Sequence, residues 1–564
     1  MDSARWLLAI VLMIAVIFIT NLLFPPVPPQ QAGVRDTAAV AADTATPVRQ
    51  PPALEPAAAP AAPGAEPAAA VEADTIFIES PLYRYGISTA GGALVSAELL
   101  QFESFTRDGP VQLMPAGAAA LVSYALSWPG VEDLDLSRVA FRAEPASDIR
   151  FQPGDAPRTL TLTHTDDAGR TIELRYTFQP SSYLVNVEGR LSGFASPPRT
   201  VLLEMGPTLA INEADPREDQ RNLAYVVNGS TGGIRSVRLG DVNERRIEEG
   251  PFYWVALKNK YFLVAALAAG DEPSNRLGGL IAEPVPAPHA ADLAATIPVS
   301  ADQTFGYQLY VGPQDYKILA QIGRQLQDVN PYGWRLLRPI IRPLAHLVSW
   351  ALVGMHEVLG IGYGWVLILF GVLMRVVLWP LNARAMRSQL KTMELQPRLK
   401  EIQDKYRNNP EQLQKAMLKL YKEEGFNPFG GCLPLLIPFP VLITLFFVFQ
   451  GTIEFRGVEF LWLPDLSRPD PYYILPLLLG ASMFLLQKIG QAGLPPNPQM
   501  KMMNWFMPIF MVIIFFSLAS GLNLYYAAMN FATIPQQVML NRERRKRQAA
   551  TGGGGAAERA RASS

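Results

Sequence analysis

The chain has 564 residues, of which 49% are hydrophobic, and its formal net charge is −1 at pH 7. Because the total charge is nearly balanced, composition favours neither a strongly acidic nor a strongly basic partner, and DNA is not expected as one. A single cysteine and four separated histidines exclude an intrachain disulfide and disfavour metal catalysis. The sequence also lacks a glycine-rich nucleotide-binding motif, so no cofactor is expected.

The first predicted elements are an anchor and a linker. Residues 1–24 contain an apolar run from Trp6 to Phe24 behind Arg5, with no small-residue cleavage site after it. We expect an uncleaved signal-anchor transmembrane helix with its N-terminus in the cytoplasm; a cleaved signal peptide is the alternative. Residues 25–73 are rich in proline and alanine and have no apolar periodicity, which predicts a disordered linker.

Residues 74–333 carry the signals of β-strands. Apolar and polar residues alternate at 75–80, 83–89 and 93–102, and residues 159–179 predict a hairpin that turns at 167–169. Because short strands with little helix continue over about 250 residues, we expect a large antiparallel β-sandwich in the periplasm. No carboxylate–histidine constellation is visible in this region, so the sequence does not identify a catalytic site there.

Residues 334–349 predict an amphipathic helix. Its polar positions recur at helical spacing and fall on one face, namely Arg335, Arg338, Arg342, His346 and Ser349. A basic amphipathic helix beside a membrane span is typical of the membrane interface. A core helix of the soluble domain is the alternative, and Pro339 and Pro343 are expected to kink the helix.

The next apolar stretch, residues 364–385, has membrane length and one full charge, Arg375. Arg375 lies ten residues after Trp365 and nine before Arg384. At about 1.5 Å rise per residue, both ends are roughly 14–15 Å away, so the arginine lies near the bilayer midplane. Such a position costs about 2.5–3.5 kcal/mol, which favours a functional, water-lined site; a structural interhelical ion pair is the alternative.

Residues 383–426 are highly charged and predict a cytoplasmic helical hairpin that is broken at residues 408–410. Its basic excess agrees with the positive-inside rule. A further role in docking partners is assigned to Arg398, Lys400 and Lys405.

Four more apolar spans follow, at residues 431–451, 472–487, 502–518 and 522–540. With the anchor and the Arg375 span they make six transmembrane helices, so both termini are expected in the cytoplasm; five of the six belong to a core at residues 350–541. Residues 542–564 are expected to be a disordered tail. Its basic residues either fix the topology or bind ribosomal RNA or anionic lipid, and they are Arg542, Arg544, Arg545, Lys546 and Arg547.

The predicted spans contain neither aspartate nor glutamate, which argues against an ion-coupled transporter. The absence also leaves Arg375 without an obvious counter-charge. Its expected companions are therefore neutral side chains and water, and the candidates include Thr444, Asn523, Tyr525 and Tyr526.

Several motifs together resemble one family. They are the tryptophan, arginine and proline of residues 364–381, Leu-Gln-Pro at 395–397, Asn-Pro-Phe-Gly-Gly-Cys-Leu-Pro at 427–434 and Ser-Gly-Leu-Asn-Leu-Tyr-Tyr at 520–526. In this order and spacing they resemble the YidC-type membrane protein insertases of the YidC/Oxa/Alb family, and the anchor, linker and β-domain match the layout of the Gram-negative members. The chain departs from the family pattern at Pro438, where a polar residue is expected, and at Gly371, where a hydroxyl is expected.

The resemblance implies a five-helix insertase core around a hydrophilic groove that is open to cytoplasm and lipid and closed to the periplasm. Arg375 would attract the polar or acidic tail of a client, and Tyr525 and Tyr526 match the substrate-facing position. The client's apolar segment would leave the groove along an apolar surface of the helices, called the slide below. Its residues are Leu433, Pro434, Phe439, Pro440, Phe506 and Met507. The implied partners are nascent membrane proteins, the Sec translocon, membrane lipids, and the ribosome or signal recognition particle machinery.

The expected function is therefore a non-enzymatic insertase and chaperone of the bacterial inner membrane, acting alone or with the Sec translocon. Two alternatives remain from the residues themselves. One is a membrane-anchored periplasmic protein that binds or modifies glycan through the β-sandwich, and the other is a solute transporter.

Overall fold

The computed structural model describes residues 73–230, 232–270, 272–333, 337–380, 398, 401–402, 405–406, 409–423, 439–491 and 498–562. The predicted signal anchor and nearly all of the predicted linker lie outside these residues, as do Pro438 and much of the predicted hairpin at 383–426.

The first half of the described chain is a β-sandwich domain. Its alternating pattern of buried and exposed side chains produces nineteen strands. The strands are β1 Thr75–Glu79, β2 Tyr83–Ser88, β3 Leu94–Glu103, β4 Pro110–Gln112, β5 Val122–Ser127, β6 Leu134–Asp135, β7 Arg142–Glu144, β8 Ile149–Arg150, β9 Arg158–Thr165, β10 Thr171–Gln179, β11 Ser182–Ser192, β12 Thr200–Met205, β13 Ala224–Gly229, β14 Gly233–Arg238, β15 Arg246–Lys258, β16 Phe262–Ala268, β17 Leu277–Pro284, β18 Ala291–Pro298 and β19 Thr304–Pro313.

The strands form two layers that share the long strand β15. The C-terminal half of β15 pairs with β16 and β13, which continues the order β7-β9-β10-β11-β19-β16-β15-β13-β14. Its N-terminal half pairs with β17, which begins the order β17-β18-β12-β5-β3-β2-β1-β8. The register shift after Glu249 lets one strand pass from one layer to the other. The predicted hairpin at 159–179 is confirmed as β9 and β10.

Tyrosines fill the centre of the sandwich. The Tyr176 hydroxyl donates to the Tyr124 hydroxyl at 2.7 Å, and the Tyr124 and Tyr307 hydroxyls share a hydrogen bond of 2.6 Å. All three rings are buried, and burial raises the pKa of Tyr124 to about 12. Because every hydroxyl has a partner, these polar groups join the two layers without an unsatisfied donor.

The helices occur mainly in the second half of the chain. They are α1 Pro216–Asn222, α2 Tyr316–Ile322, α3 Arg338–Leu359, α4 Tyr363–Val377, α5 Pro410–Glu423, α6 Phe439–Gly451, α7 Ile474–Gln491, α8 Pro498–Phe515 and α9 Ser520–Ala562. Within the described residues, no single helix combines the length and the apolar composition of a membrane span. The pair α3 and α4 meets both criteria together, and these two helices are bent by 120° where they meet.

Helix α3 is longer than the sequence predicts. It begins at Arg338 and ends at Leu359, ten residues beyond the predicted end at 349, because the apolar spacing continues past Ser349. Gly360 then stops the helix in the left-handed conformation, at φ +64°, and its N–H donates to the His356 carbonyl. Pro339 lies in the first turn and Pro343 lies inside the helix.

The basic face of α3 contacts the β-sandwich domain. Arg342 binds the buried carboxylate of Asp328 through Nε at 3.0 Å and through a terminal nitrogen, and His346 Nε2 lies 2.8 Å from Asp328 Oδ1. Leu347 and Trp350 of the same helix are exposed. Its placement in the membrane interface stays a prediction.

Helix α9 corrects one expectation. The tail at 542–564 was expected to be disordered, whereas α9 continues without a break to Ala562. Residues 541–550 are mostly arginine, lysine, glutamate, glutamine and alanine, which are strong helix formers, so the last span extends through the basic segment.

Candidate functional site

The site is built around Arg375, on the last turn of α4. The side chain is half-buried, and one terminal nitrogen donates to Oε1 of Gln536 on α9. Gln536 is buried, and its Nε2 donates at 3.5 Å to the carbonyl of Trp379. A neutral amide therefore joins the arginine to the backbone just beyond α4.

The guanidinium keeps unused donor capacity. Its Nε is buried and has no hydrogen-bond partner among the described residues, and no carboxylate of that part of the chain pairs with it. A guanidinium has five N–H groups and no acceptor, so it can bind a carboxylate with two parallel hydrogen bonds. The lack of any counter-charge for Arg375 in the whole chain stays a prediction.

The predicted neutral companions lie in the core of the helix bundle. Tyr525 packs between Phe370 and Phe449, with ring centroids 5.8 and 6.0 Å away, and its hydroxyl donates to Met529 Sδ at 3.5 Å. Tyr526 packs edge-on against Phe515 at 5.5 Å. Thr444 of α6 is fully buried. These contacts hold both tyrosines in the bundle core, on the same helix as Gln536.

Two polar atoms of these predicted companions have no partner in the described part of the chain. They are Asn523 Oδ1 and the Tyr526 hydroxyl, and the two residues lie three apart on α9, on the same face. The Asn523 amide nitrogen donates at 3.1 Å to the Phe515 carbonyl at the end of α8. An enclosed acceptor and an enclosed hydroxyl on one helix face can hydrogen-bond to a water molecule or to a polar group of a ligand.

Gly371 explains one departure from the family pattern. A Cβ at this position would lie 3.0 Å from the Tyr525 carbonyl oxygen and 3.3 Å from Ala528 Cβ. The glycine thus permits the close contact between α4 and α9 that brings Arg375 beside the partner helix. A hydroxyl-bearing side chain would not fit here without moving α9.

The outer end of the bundle is covered by the segment after α6. Its residues Phe455, Phe460 and Leu466 are buried among the helices, and backbone bonds join it to the start of α9, where Gly521 N–H donates to the Leu466 carbonyl at 2.8 Å. The segment therefore packs at the start of α9, fifteen residues before Gln536.

The predicted slide is only partly described. Phe506 and Met507 of α8 are 63% and 36% exposed, which is unusual for large apolar side chains unless lipid or a partner covers them. Leu433 and Pro434 lie outside the described residues, and Phe439 and Pro440 begin α6, although their side chains lie outside the description.

The predicted basic docking residues are spread over three segments. Arg398, Lys405 and Arg542 are exposed, and Lys400 lies outside the described residues. Arg544, Arg545, Lys546 and Arg547 belong to α9, but their side chains are not described. No cluster of three or more metal-binding side chains occurs in the described ranges.

Sequence reasoning missed Gln536, the one hydrogen-bond acceptor that the described residues offer Arg375. The available signal was the polar pair Gln536-Gln537 directly after Pro535, inside an otherwise apolar span. A buried amide needs a hydrogen-bond partner, and Arg375 was the candidate that the sequence offered on another apolar helix.

The comparisons with known proteins agree with this layout. Residues 354–548 match the family model described as 60Kd inner membrane protein, and residues 75–347 match the model of the YidC periplasmic domain. The chain is 30% identical over 540 residues to a membrane protein insertase YidC of Chlorobaculum parvum, covering 92% of this chain and 89% of that relative. It is also 30% identical over 570 residues to a membrane protein insertase YidC of Syntrophus aciditrophicus, covering 95% of this chain and 99% of that relative.

A crystal structure of an active YidC insertase with the first transmembrane domain resolved is also similar. The alignment has a TM-score of 0.34 and 17% identity, and it covers 82% of this chain and 91% of that one.

Proposed function

The chain belongs to the YidC family of membrane protein insertases, and on that premise we propose that Arg375 is the polar group that its clients meet inside the membrane. As a family member, the chain is an inner-membrane insertase with a periplasmic β-sandwich domain. Its clients are membrane proteins, and the family works without covalent chemistry.

One observation carries the proposal. Arg375 is half-buried on an apolar helix, its described partner is the neutral Gln536, and its Nε has no described partner. A structural ion pair would use a carboxylate at that depth. A guanidinium with unused donors instead offers a binding site for the acidic or polar tail of a client.

The energetic need for such a group follows from the client. Burying an apolar span of about 20 residues releases on the order of tens of kcal/mol, whereas each charged tail residue costs a few kcal/mol at the membrane centre. Insertion is therefore downhill, and the barrier is the passage of the tail. Arg375, together with Thr444, Asn523, Tyr525 and Tyr526, would replace part of the water that the tail leaves behind.

We propose that the client's apolar segment then leaves sideways along α6 and α8. The exposure of Phe506 and Met507 supports this path. On an apolar surface that is open to lipid, an apolar client segment can replace its contacts with the protein by contacts with lipid, at little cost in free energy. Leu433, Pro434, Phe439 and Pro440 would form the other side of this slide.

The remaining layout is proposed on the same premise. Six spans, with the anchor at 1–24 and the core at 350–541, would place both termini in the cytoplasm and residues 74–333 in the periplasm. The basic residues of the 383–426 hairpin and of the end of α9 would meet ribosomes, signal recognition particle machinery or anionic lipid, and the periplasmic domain would meet the Sec translocon.

The test uses the full-length protein in liposomes and a small client with a short acidic tail. Arg375→Ala is expected to lower the insertion rate at least tenfold, which corresponds to about 1.4 kcal/mol in the barrier. Arg375→Lys keeps the charge and should retain part of the rate, and a client with a neutral tail should respond weakly. Equal insertion by wild type and Arg375→Ala would exclude the groove-arginine mechanism, although not the insertase function.

A further inference from the structure

A small cavity lies between the periplasmic domain and the helices, far from Arg375 in the fold. Its walls come from the end of the domain, from α3, from α4 and from the segment after α6, and they include Gln314, Tyr332, Leu352 and Tyr363. The volume is about 20 Å³, enough for about one water molecule. Every wall is contributed by a different element, so the cavity exists only while the domain rests on the helices.

Glu454 places a carboxyl group in this cavity. It lies in the short turn Ile453–Phe455, and although the residue keeps some exposure, its carboxyl group is enclosed by protein. The backbone N–H of Tyr316, at the start of α2 in the periplasmic domain, donates to this carboxyl. This hydrogen bond by itself favours the ionised carboxyl, but burial and the charge of Asp315 outweigh it.

The surroundings of Glu454 disfavour its negative charge. From the periplasmic domain it faces the carboxylate of Asp315 and the ring of Tyr332, and from α4 it faces Tyr363. The nearby charges are already paired: Lys317 binds Glu357 of α3 at 2.5 Å, and Arg456 binds Glu213 at 2.8 Å.

The remaining ionisable groups on α3 are also engaged. His356 Nδ1 lies 2.7 Å from the Ile361 carbonyl, and its ring stacks on Tyr363 at 4.2 Å. Arg342 and His346 bind Asp328. None of these groups forms an ion pair with Glu454 among the described residues, so no cation offsets the burial of its carboxyl.

We propose that Glu454 is an acid-operated latch, which holds the periplasmic domain on the helices when it is protonated and loosens the junction when it ionises. The inference concerns a second site of the molecule and does not depend on the groove around Arg375. It follows from the position of one enclosed carboxyl between two halves of the chain, with an acid beside it.

The direction of the pH dependence follows from linkage. Burial, and then the charge of Asp315, raise the pKa of Glu454 from its ordinary value near 4.5 to about 7 in the closed junction. An opened junction exposes the carboxyl to water, where its ordinary pKa returns. The closed state therefore holds its proton more tightly, and its stability falls as pH rises from about 4.5 to about 7, then stays constant.

Glu454 is also linked to the core of the helix bundle through the next residue, Phe455. Phe455 stacks on Phe449 at 5.2 Å and meets Tyr363 edge-on at 5.5 Å, and Phe449 packs on Tyr525 at 6.0 Å. Opening of the junction would therefore disturb these ring contacts. Through them, the pH at the junction would affect the packing of the helices.

Hydrogen–deuterium exchange of the full-length protein in nanodiscs tests the latch at pH 5.5 and pH 8. After correction for intrinsic rates, segments 314–332 and 346–363 of the wild type should exchange at least tenfold faster at pH 8, given the two pKa values above. Glu454→Gln keeps an acceptor for the Tyr316 N–H and cannot ionise. Its segments should stay protected at both pH values.

Glu459→Gln is the matched control, because Glu459 is an exposed acid of the same segment. It should show the wild-type pH response. Glu213 across the junction also has a pKa raised by burial, and it could contribute its own pH response. The difference in pH response between wild type and Glu454→Gln therefore isolates the contribution of Glu454. The same pH response in both would overturn the proposal, as would unchanged protection of the wild type. Equal protection of the two proteins at pH 5.5 shows that the variant folds.

Discussion

At the scale of single residues, the chemistry of the groove depends on Gln536 being neutral. The Gln536 amide orients Arg375 without cancelling its charge, because it accepts one hydrogen bond and leaves the other guanidinium N–H groups available. A carboxylate at the same place would form an ion pair with Arg375. The arginine would then already have the partner that a client is proposed to supply.

Gln536→Glu should therefore lower insertion of an acidic-tailed client about as much as Arg375→Ala does. A competing attraction of about 1.4 kcal/mol is enough for a tenfold loss. Gln537→Glu adds the same charge one residue later, on the side that packs against Gly490, and should insert the client far better. The measurement is the initial insertion rate in liposomes; equal rates for the two variants would contradict the assigned role of Gln536.

The sequence allowed Arg375 to be identified and its partner to be missed, for a physical reason. A full charge in an apolar span costs several kcal/mol, so it is visible without any knowledge of the fold. A buried amide costs less and occurs often between membrane helices. Its role depends on which helix lies opposite, and that pairing of α4 with α9 is tertiary information.

At the scale of elements, the contact between α4 and α9 is set by a missing side chain. Gly371→Ala would place a Cβ 3.0 Å from the Tyr525 carbonyl oxygen, and backbone cannot move aside cheaply. Overpacking of this kind costs about 1–3 kcal/mol. We expect a lower thermal unfolding midpoint in detergent and a lower insertion rate, because Arg375 moves away from Gln536.

Gly354→Ala is the control for that substitution. Gly354 also lies inside a helix, α3, but a Cβ there would meet nothing within 4 Å. The alanine should leave stability unchanged or raise it by about 0.5–1 kcal/mol, because it restricts the unfolded chain. A similar loss of stability at both glycines would contradict the assigned role of Gly371, because a Cβ at Gly354 meets no neighbouring atom.

Elements were predictable where one periodicity dominates. The hairpin of β9 and β10 follows from strict alternation and a turn at Gly169, which has φ +75°. The end of α3 was not predictable from its polar face alone, since the stop is the left-handed Gly360 and not the end of the basic residues. The helical tail was missed because a basic, polar composition suits a solvated helix as well as a disordered chain.

At the scale of the whole molecule, several ion pairs of the described residues join the periplasmic domain to the helices, and two of them lie in very different environments. The Arg456–Glu213 pair has side chains only 3% and 10% exposed, and Arg456 also donates to the Glu103 carbonyl and stacks on Phe105. The Lys317–Glu357 pair is about half exposed on each side. Neither pairing is visible in the sequence, because the partners lie 243 and 40 residues apart.

Arg456→Ala should weaken the junction strongly, since it leaves the Glu213 carboxylate buried without a partner. Breaking one side of a buried pair costs about 3–5 kcal/mol, whereas an exposed pair contributes little, so Lys317→Ala should change almost nothing. Hydrogen exchange in residues 452–471 is expected to rise at least a hundredfold in Arg456→Ala. Acidification should restore part of the protection, because burial already raises the pKa of Glu213 and loss of the arginine raises it further, so the carboxyl becomes neutral. Equal exchange in the two variants at neutral pH would show that the halves are held together by apolar packing and not by this buried charge pair.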